Sequence, residues 1–341
     1  MQNSSPSLLA SASAFVAPKF ALFGATGAIG HSIATAFRAS GLRYRVVGRS
    51  ASSLQARFGS DPLAETRTWD PDSPESIVRA AEGIDTLIYM VGVPYDQFAL
   101  HPKILRQTID GAVRAGVKRI LLIGTLYPFG RPRTPRVNED HPREPHTFKG
   151  RMRKAQEDAL MEAHRDGRIE ATILRLPDFY GPHVEASFFG GLFQAIQQGK
   201  RAQMVGPIDV PHEYVFVPDV GPIVVRLVQT PAAYGRTWNL GGAGPIVPRD
   251  FAERAFAQAG QKPRFLVAGK LMLRLLGLTN PFMRELVEMH YLITNPIIVD
   301  DQALETLIGP LKKTSYDAGI AACLRALKED VESFKSAAVT T

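Results

Sequence analysis

Short apolar runs alternate with stretches of helical spacing in the first half of the chain. Residues 19–24 form the first apolar run, and Ile29, Ile33 and Phe37 then recur at helical intervals. Similar patterns predict strands over 44–47, 66–69, 84–90, 118–123 and 170–174, and helices over 72–81, 97–115 and 149–165. Strands separated by helices in this way indicate right-handed βαβ units and a parallel sheet.

The pattern changes after Gly181, where elements become shorter and are interrupted by glycine and proline. We therefore expect one compact unit in which a smaller, irregular C-terminal lobe interleaves with the sheet. Residues 1–18 carry few charged side chains and precede the first strand, so they are interpreted as a flexible leader. Residues 19–180 are interpreted as the sheet core and residues 181–341 as the lobe.

The composition excludes several classes of protein and leaves the fold prediction unchanged. The chain has 341 residues, 45% hydrophobic and 21% charged, which excludes a disordered or fibrous protein. The single cysteine, Cys323, lies on an apolar helix face and is typical of a core position in a reducing compartment. No apolar run approaches the ~20 residues of a membrane span. The expectation is a cytoplasmic protein with no membrane partner.

The net charge of +7 is concentrated in one segment. Residues 131–154 hold eight Lys/Arg and three Asp/Glu, a local charge of 8 − 3 = +5. Such a segment indicates either a solvated or nucleic-acid-binding surface, or a site for an anionic cofactor or substrate. Phe148 is its only aromatic residue and no nucleic-acid-binding motif accompanies it, so nucleic acid is not expected.

A glycine-rich loop follows the first predicted strand. The sequence Gly24-Ala-Thr-Gly27-Ala-Ile-Gly30 has the G-x-x-G-x-x-G spacing and opens the first helix. Glycines at such a turn let backbone N–H groups approach a pyrophosphate closely. The pattern predicts a Rossmann-type, doubly wound α/β fold that binds a dinucleotide. The predicted cofactor contacts in this loop are Gly24, Thr26, Gly27, Ala28, Ile29 and Gly30.

The end of the second predicted strand suggests which dinucleotide is bound. The strand ends at Gly48 and Arg49, where an NAD-binding protein usually offers an acidic residue to the ribose hydroxyls. Arg49 instead suits a 2′-phosphate, with Arg43 and Arg45 adding positive potential. The prediction is NADP in preference to NAD.

Together these segments resemble the extended short-chain dehydrogenase/reductase superfamily, the group of NAD-dependent epimerases and dehydratases. The resemblance runs from about residue 19 to 328 and rests on motifs in order: the glycine loop, Asp70 after the third strand, Tyr89-Met-Val91-Gly92, Gly124-Thr125-Leu-Tyr-Pro-Phe-Gly130, Leu174-Arg-Leu-Pro177-Asp-Phe-Tyr-Gly-Pro182, Tyr214-Val-Phe-Val-Pro-Asp-Val220 and Trp238-Asn-Leu-Gly-Gly242. It implies that Asp70 contacts the adenine and that Val91, Gly92 and Pro177 lie along the cofactor.

The chain departs from the family where the chemistry is expected. The family carries Tyr-x-x-x-Lys at the start of the helix after the fifth strand, and no such motif is present here. Counting back from Glu157, which resembles the family's glutamate in this helix, aligns Lys149 with the tyrosine and Arg153 with the lysine. A shift of one residue aligns Phe148 and Met152 instead, and both are chemically inert.

The first register gives candidate catalytic residues. Lys149 and Arg153 lie one helical turn apart, so the charge of Arg153 makes the Lys149 ammonium a stronger proton donor, which serves as a general acid near neutral pH or binds an anion. The resemblance implies that Arg153 contacts the nicotinamide ribose and that Thr125 hydrogen-bonds a substrate oxygen, with Tyr127 supplying a phenol nearby. The predicted function is an NAD(P)-dependent oxidoreductase or epimerase-like enzyme acting on a carbonyl or alcohol. The alternative is a dinucleotide-binding regulator without catalysis.

Other polar residues are weaker candidates. Asp178 replaces the family's asparagine and is expected to be buried with a raised pKa. Four loop histidines, His141, His146, His183 and His212, are compatible with ligand contact. No spacing typical of a metal site or a Gly-x-Ser-x-Gly elbow is present. The apolar segments 271–278, 282–292 and 296–299 suggest a roof over the pocket or an oligomer surface, and a homodimer and an anionic small-molecule substrate both fit these patterns.

Overall fold

The computed structural model describes residues 17–184, 187–276, 278, 285 and 287–339, without the side chains of 276 and 330–339. The predicted leader, residues 1–18, lies outside these ranges apart from its last two residues. Among the described residues no helix is long and apolar enough to cross a membrane.

Seven parallel strands form the central sheet. In chain order they are β1 (Phe20–Phe23), β2 (Tyr44–Gly48), β3 (Ala64–Thr68), β4 (Thr86–Tyr89), β5 (Arg119–Thr125), β6 (Glu170–Leu176) and β10 (Thr237–Asn239). Their spatial order is β10-β6-β5-β4-β1-β2-β3, so the order reverses at β1 and β4. A ligand crevice is expected at the carboxyl ends of the strands where the order reverses.

Helices cover both faces of this sheet. They are α1 (Ala28–Ala39), α2 (Ala51–Phe58), α3 (Pro74–Ala81), α4 (Leu100–Arg114), α5 (Phe148–Arg165) and α7 (Val217–Val228). Side chains alternate along each strand: Leu22 and Val46 pack under α1 and α7, whereas Phe23 and Val47 pack under α3 and α4. These observations confirm the predicted Rossmann-type, doubly wound fold.

The second half of the chain contributes both to the sheet and to a separate cluster. β10 extends the sheet beside β6, and α7 packs against α1. The other elements are β7 (Phe179–Tyr180), α6 (Gly190–Gln197), β8 (Ala202–Val205), β9 (Val215–Phe216), α8 (Pro248–Gln258), β11 (Phe265–Ala268), α9 (Lys270–Leu276), α10 (Tyr291–Thr294), α11 (Gln302–Ile308) and α12 (Tyr316–Val339). Their main core contains Phe189, Phe251 and Cys323. Burial raises the pKa of the Cys323 thiol to about 12.

The proline-rich loop between β5 and α5 keeps the length that the sequence indicates. It contains one 3-10 turn, Tyr127–Phe129, and one β-bridge, in which Val137 pairs with Val299. Thr147 ends the loop by capping α5, since its hydroxyl accepts the Gly150 N–H at 3.1 Å. The loop therefore connects the end of β5 to the start of α5 at the carboxyl edge of the sheet.

Candidate functional site

The three glycines of the loop after β1 have three different physical roles. Gly24 has φ +91°, a conformation that favours glycine, and its backbone lies against Met90 and Val91. A Cβ on Gly30 would lie 2.4 Å from the Ala25 carbonyl oxygen, so Gly30 serves helix packing. Gly27 is different, because its added Cβ would meet only one protein atom, at 4.0 Å. Packing does not require glycine at position 27, and the space beside it is open to a ligand.

Gly27 opens onto a cleft that we call the cofactor cleft, with a cavity volume of about 230 Å³. The cleft runs from the first turn of α1 across the ends of β4 and β5 to α5. Its lining includes the predicted contacts Gly24, Gly27, Ala28, Ile29, Gly30, Val91, Gly92, Pro177, Thr125 and Arg153. No side chain caps the N-terminus of α1, so its first backbone N–H groups are available to an anion.

Three predicted cofactor contacts lie outside this lining. Thr26 belongs to the glycine loop but does not line the cleft, whereas Arg49 and Asp70 follow β2 and β3 with exposed side chains. Arg49 has no ion pair or hydrogen bond within the described part of the chain. The expectation that Arg45 adds positive potential is wrong: its guanidinium is buried and bonds Glu65 and the carbonyls of Ala80 and Glu82.

Arg153 is the charged group at the far end of the cofactor cleft. Its Nε donates to the Thr125 Oγ1 at 3.4 Å, and its Nη1 donates to Gln156 Oε1 at 2.8 Å and to His101 Nδ1 at 3.0 Å. Burial lowers the pKa of His101 to about 2, helped by the charge of Arg153, so this imidazole is a neutral acceptor. No carboxylate of the described residues forms an ion pair with Arg153, and burial lowers its pKa as well.

Glu157 fixes the register of α5 against the sheet. Its carboxylate receives two hydrogen bonds of 2.8 Å from the buried Arg175 in β6 and one of 3.1 Å from Arg143. With Glu157 held there, Arg153 and Lys149 follow at successive turns toward the helix start. Phe148 is 44% exposed, so this geometry favours the register that aligns Lys149 and Arg153 with the family motif.

Lys149 has a different environment from Arg153, although the two lie one turn apart. Its Nζ contacts Glu285 and lies 2.8 Å from Glu288 Oε2, and it sits 5.0 Å from the centre of the Tyr95 ring. The side chain is buried, and it does not line the cofactor cleft. Both carboxylates pair with this ammonium, so Lys149 is held by Glu285 and Glu288 and is not directed into the cofactor cleft.

Tyr127 lines a second pocket, which adjoins the cofactor cleft at Thr125. It lies two residues after Thr125 in the 3-10 turn, and its phenol shares a hydrogen bond with the Tyr95 phenol, in which either group can be the donor. Burial raises the pKa of Tyr127 well above its ordinary value, so the phenol stays protonated. The ring stacks on Phe98 with centroids 6.4 Å apart. A neutral phenol held in this way can donate a hydrogen bond or a proton.

The second pocket, which we call the substrate pocket, has a cavity volume of about 110 Å³. Its polar side chains are Thr125, Tyr127, Asp178, His212 and Glu213, and its apolar lining includes Leu292, Pro296 and Ile297. Thr125, Leu176, Pro177 and Phe179 line both the pocket and the cofactor cleft. A group in the substrate pocket therefore lies next to a ligand in the cofactor cleft.

Burial favours the neutral form of each titratable group in the substrate pocket. It raises the pKa values of Asp178 and Glu213 and lowers that of His212. Asp178 lies at the pocket wall with an exposed side chain, so the expectation that this residue is buried is wrong. The protein packed around the pocket still raises its pKa by desolvation. Glu213 is deeper and accepts the Val299 N–H at 3.0 Å, and His212 Nδ1 donates to the Val210 carbonyl at 2.6 Å.

The basic segment 131–154 does not form a phosphate-binding surface as a unit. Four of its eight cations form ion pairs: Arg133 with Glu144, Arg143 with Glu157 and Asp158, Lys154 with Asp158, and Lys149 with Glu285 and Glu288. Arg136 and Arg151 donate to backbone carbonyls. Of this segment only Arg153 lines the cofactor cleft.

The remaining loop histidines have separate positions. His141 Nε2 accepts the Arg133 N–H at 2.9 Å, and His146 packs edge-on against Tyr291. His183 adopts φ +58° near the start of α1, outside both pockets. Among the described residues no group of histidine, cysteine and acidic side chains could hold a metal ion.

Sequence reasoning missed His101, Tyr95 and Glu213. His101 lies in the first turn of α4, where the sequence shows an ordinary helical position before a proline. Glu213 directly precedes the Tyr214–Val220 motif, and its proximity to that motif is the one signal that could have identified it. Tyr95 follows β4 in an irregular segment that the sequence pattern leaves unassigned.

Comparisons with known proteins agree with this geometry. Residues 21–241 match the model of the NAD dependent epimerase/dehydratase family. A search of curated proteins found no match. A UDP-glucuronic acid 4-epimerase from Bacillus cereus in complex with NAD is similar in structure, with 16% identity, TM-score 0.74, and coverage of 91% of this chain and 98% of that chain.

Two further solved structures are similar over comparable lengths. A dTDP-glucose 4,6-dehydratase from Streptomyces venezuelae with NAD bound has 16% identity and TM-score 0.75, covering 91% of this chain and 97% of its own. A nucleoside-diphosphate-sugar epimerase from Pseudomonas aeruginosa has 19% identity and TM-score 0.72, covering 92% and 99%. At these identities the likeness concerns the fold.

Proposed function

Because the chain belongs to the NAD dependent epimerase/dehydratase family, we propose that it is an enzyme that binds a nicotinamide dinucleotide in the cofactor cleft. The bound cofactor would supply or accept a hydride, and a carbonyl or alcohol would react in the substrate pocket. The observation that carries the proposal is Arg153, a half-buried cation that faces the cleft beside Thr125 and has no carboxylate partner among the described residues.

The cleft suits a dinucleotide in shape and charge. The Gly27 and Gly92 positions leave room that a Cβ would fill, and both line the cleft. Pyrophosphate would take the free N–H groups at the start of α1. Arg153 and Thr125, at the opposite end of the cleft from β2, would then hold the nicotinamide ribose.

NADP remains the proposed cofactor, with NAD as its competitor. Two of the similar structures contain NAD, which supports a nicotinamide dinucleotide here. Arg49, exposed after β2 and free of ion pairs within the described residues, offers a partner for a 2′-phosphate. β2 ends without a carboxylate that would favour ribose hydroxyls.

We assign proton handling to Tyr127 rather than Lys149. Thr125 and Tyr127 both line the substrate pocket, and each can hydrogen-bond one reacting oxygen. Lys149 is enclosed by Glu285 and Glu288 and does not reach the lining. Its contribution would be to hold the start of α5 against the segment that carries these glutamates.

Asp178 would act as a positioning or proton-supplying group. Its raised pKa keeps part of the carboxyl population protonated at pH values where an ordinary aspartate is ionised. Charge on Asp178 also raises the pKa values of Tyr95 and Tyr127, so the three groups are electrostatically coupled. A protonated Asp178 could return a proton to the Tyr95 and Tyr127 phenols after the substrate carbonyl has been reduced.

The test compares cofactor binding and turnover in matched variants. NADPH and NADH binding is measured first, and oxidation is then followed by absorbance against a panel of aldehydes and ketones. Wild type is expected to turn over at least one carbonyl, and Tyr127→Phe and Thr125→Ala to lower kcat with little change in cofactor affinity. Lys149→Met, with a melting curve to check folding, is expected to retain most turnover.

Two outcomes would contradict these assignments. Loss of kcat in Lys149→Met at unchanged melting temperature, with full activity in Tyr127→Phe, would return the proton role to Lys149. Cofactor binding without turnover on any substrate would favour the dinucleotide-binding regulator. Lys149 stands at the position of the family's tyrosine and is held in an ion pair. This observation supports the regulator as the second candidate function.

A further inference from the structure

A second basic segment lies outside both pockets. Residues 262–278 contain four Lys/Arg and no Asp/Glu, and they run from just before β11 through α9. The cations Lys262, Arg264, Lys270 and Arg274 are all exposed. No carboxylate of the described residues pairs with any of the four, in contrast to the paired cations of segment 131–154.

The same segment holds the most exposed large apolar side chains among the described residues. Leu271, Leu275 and Leu278 are 70%, 61% and 81% exposed, and Leu266 and Met272 add to them. Leu271 and Leu275 lie four residues apart on one face of α9, and Leu278 follows shortly after the end of this helix. Leu273, only 1% exposed, attaches the helix to the protein from the other side. We call the exposed residues of 262–278 the leucine–cation surface.

We propose that the leucine–cation surface docks on an anionic phospholipid membrane. Exposed leucines next to unpaired Lys and Arg are the two components of interfacial membrane binding: apolar side chains enter the headgroup region while cations meet anionic lipid. The choice of occupant rests on charge complementarity. Isologous contact with a second copy of the chain would bring two sets of four unpaired cations together, which is unfavourable.

In the sequence, the surface precedes the C-terminal residues that line the substrate pocket. Leu292, Pro296 and Ile297, which line that pocket, follow it in the same C-terminal region. The inference departs from the expectation of no membrane partner, which rested only on the lack of a spanning segment. It concerns peripheral attachment and does not depend on the proposed hydride transfer.

The test is co-sedimentation of the full chain with vesicles. Wild type is expected to pellet with phosphatidylcholine vesicles containing phosphatidylserine, much less with phosphatidylcholine alone, and less as salt is added. Lys270→Glu with Arg274→Glu should lower the partition coefficient by about 25-fold or more, since each cation near an anionic surface contributes about fivefold. Leu271→Ser with Leu275→Ser should lower it on both kinds of vesicle.

The matched control is Arg79→Glu with Arg106→Glu, which reverses two exposed cations on α3 and α4 and should bind as wild type does. Melting temperatures verify that all variants fold. Equal binding to both vesicle types, or wild-type binding by the Lys270/Arg274 variant, overturns the proposal. So does a wild-type dimer, seen by light scattering, that becomes monomeric in the Leu271/Leu275 variant, because the surface would then join two copies.

Discussion

The cofactor cleft and the substrate pocket adjoin, but they are built in different ways. The cofactor cleft is formed by backbone, by glycines and by one unpaired cation, Arg153. The substrate pocket is formed by titratable side chains, among them Asp178, His212 and Glu213, that burial holds toward their neutral forms. The first arrangement suits a ligand with fixed phosphates, and the second suits a neutral group that exchanges a proton.

The two sites also differ in how far apart their residues lie in the sequence. The glycine loop and its helix are a continuous segment, whereas the substrate pocket combines residues from β5, β6 and the segments before β9 and after α10. Variation at Asp178, His212 or Glu213, which do not line the cofactor cleft, can therefore alter the substrate while the cleft stays the same. Each variant below is expected to affect one side of this comparison and spare the other.

The largest effect is expected from Gly27→Val. A valine Cβ at position 27 has space in the fold, so the protein should melt near the wild-type temperature while dinucleotide affinity falls by about a hundredfold or more. The matched change is Gly30→Val, whose Cβ would lie 2.4 Å from a backbone oxygen and should lower stability by about 1–3 kcal/mol or more. Calorimetric titration and melting curves measure both. Unchanged affinity in Gly27→Val would show that the ligand does not use this loop.

The second-largest effect is expected from Arg49→Asp, which should change the preference between NADPH and NADH. Loss of a charge-assisted contact to the 2′-phosphate weakens NADPH binding by about 10- to 100-fold, while NADH binding is kept or improved. Arg79→Ala, an exposed cation on α3, is the control. If NADH binds more tightly than NADPH to wild type, the 2′-phosphate assignment is wrong.

Asp178→Asn should give a smaller effect that depends on pH. Burial raises the folded-state pKa of Asp178 above its ordinary 3.8, so below 3.8 the carboxyl is protonated whether or not the chain is folded. As pH rises through the raised pKa, ionisation favours the unfolded chain and wild type loses stability. The variant lacks this loss, so its melting-temperature advantage should grow from acidic to neutral pH. A constant difference across this range would contradict the assigned pKa direction.

Cys323→Ser should have the smallest effect on both the cofactor cleft and the substrate pocket. The thiol lies in the lobe core, and burial raises its pKa to about 12. Native protein should react very slowly with iodoacetamide, and the variant should keep wild-type cofactor affinity and turnover. Rapid modification of the native protein would place the thiol at the surface instead.

Much of the fold follows from local sequence. The predicted strands and the helices around 100–114 and 148–165 agree with the structure to within a few residues, because apolar periodicity and glycine punctuation are local signals. The glycine loop after β1 can also be predicted from such a local signal. Thr125 and Arg153 were also identified from local motifs, and they meet because β5 and α5 are adjacent.

The partners of Lys149 could not be predicted in this way. Glu285 and Glu288 lie more than a hundred positions later in the chain, and nothing in the sequence near α5 indicates them. The same holds for Arg45, whose pairing with Glu65 and with carbonyls at the C-terminal end of α3 removes a charge that the sequence assigns to the cofactor. Charge counts locate cations, but only tertiary packing shows which of them are neutralised.

The central claim is that Arg153 marks the nicotinamide end of a dinucleotide site. The most direct measurement is the affinity of wild type and Arg153→Gln for NADPH and for 2′,5′-ADP, which contains the adenosine half alone. We expect NADPH binding to weaken by about tenfold or more in the variant while 2′,5′-ADP binding is unchanged. Equal weakening of both ligands, or no change in NADPH affinity, would contradict the account.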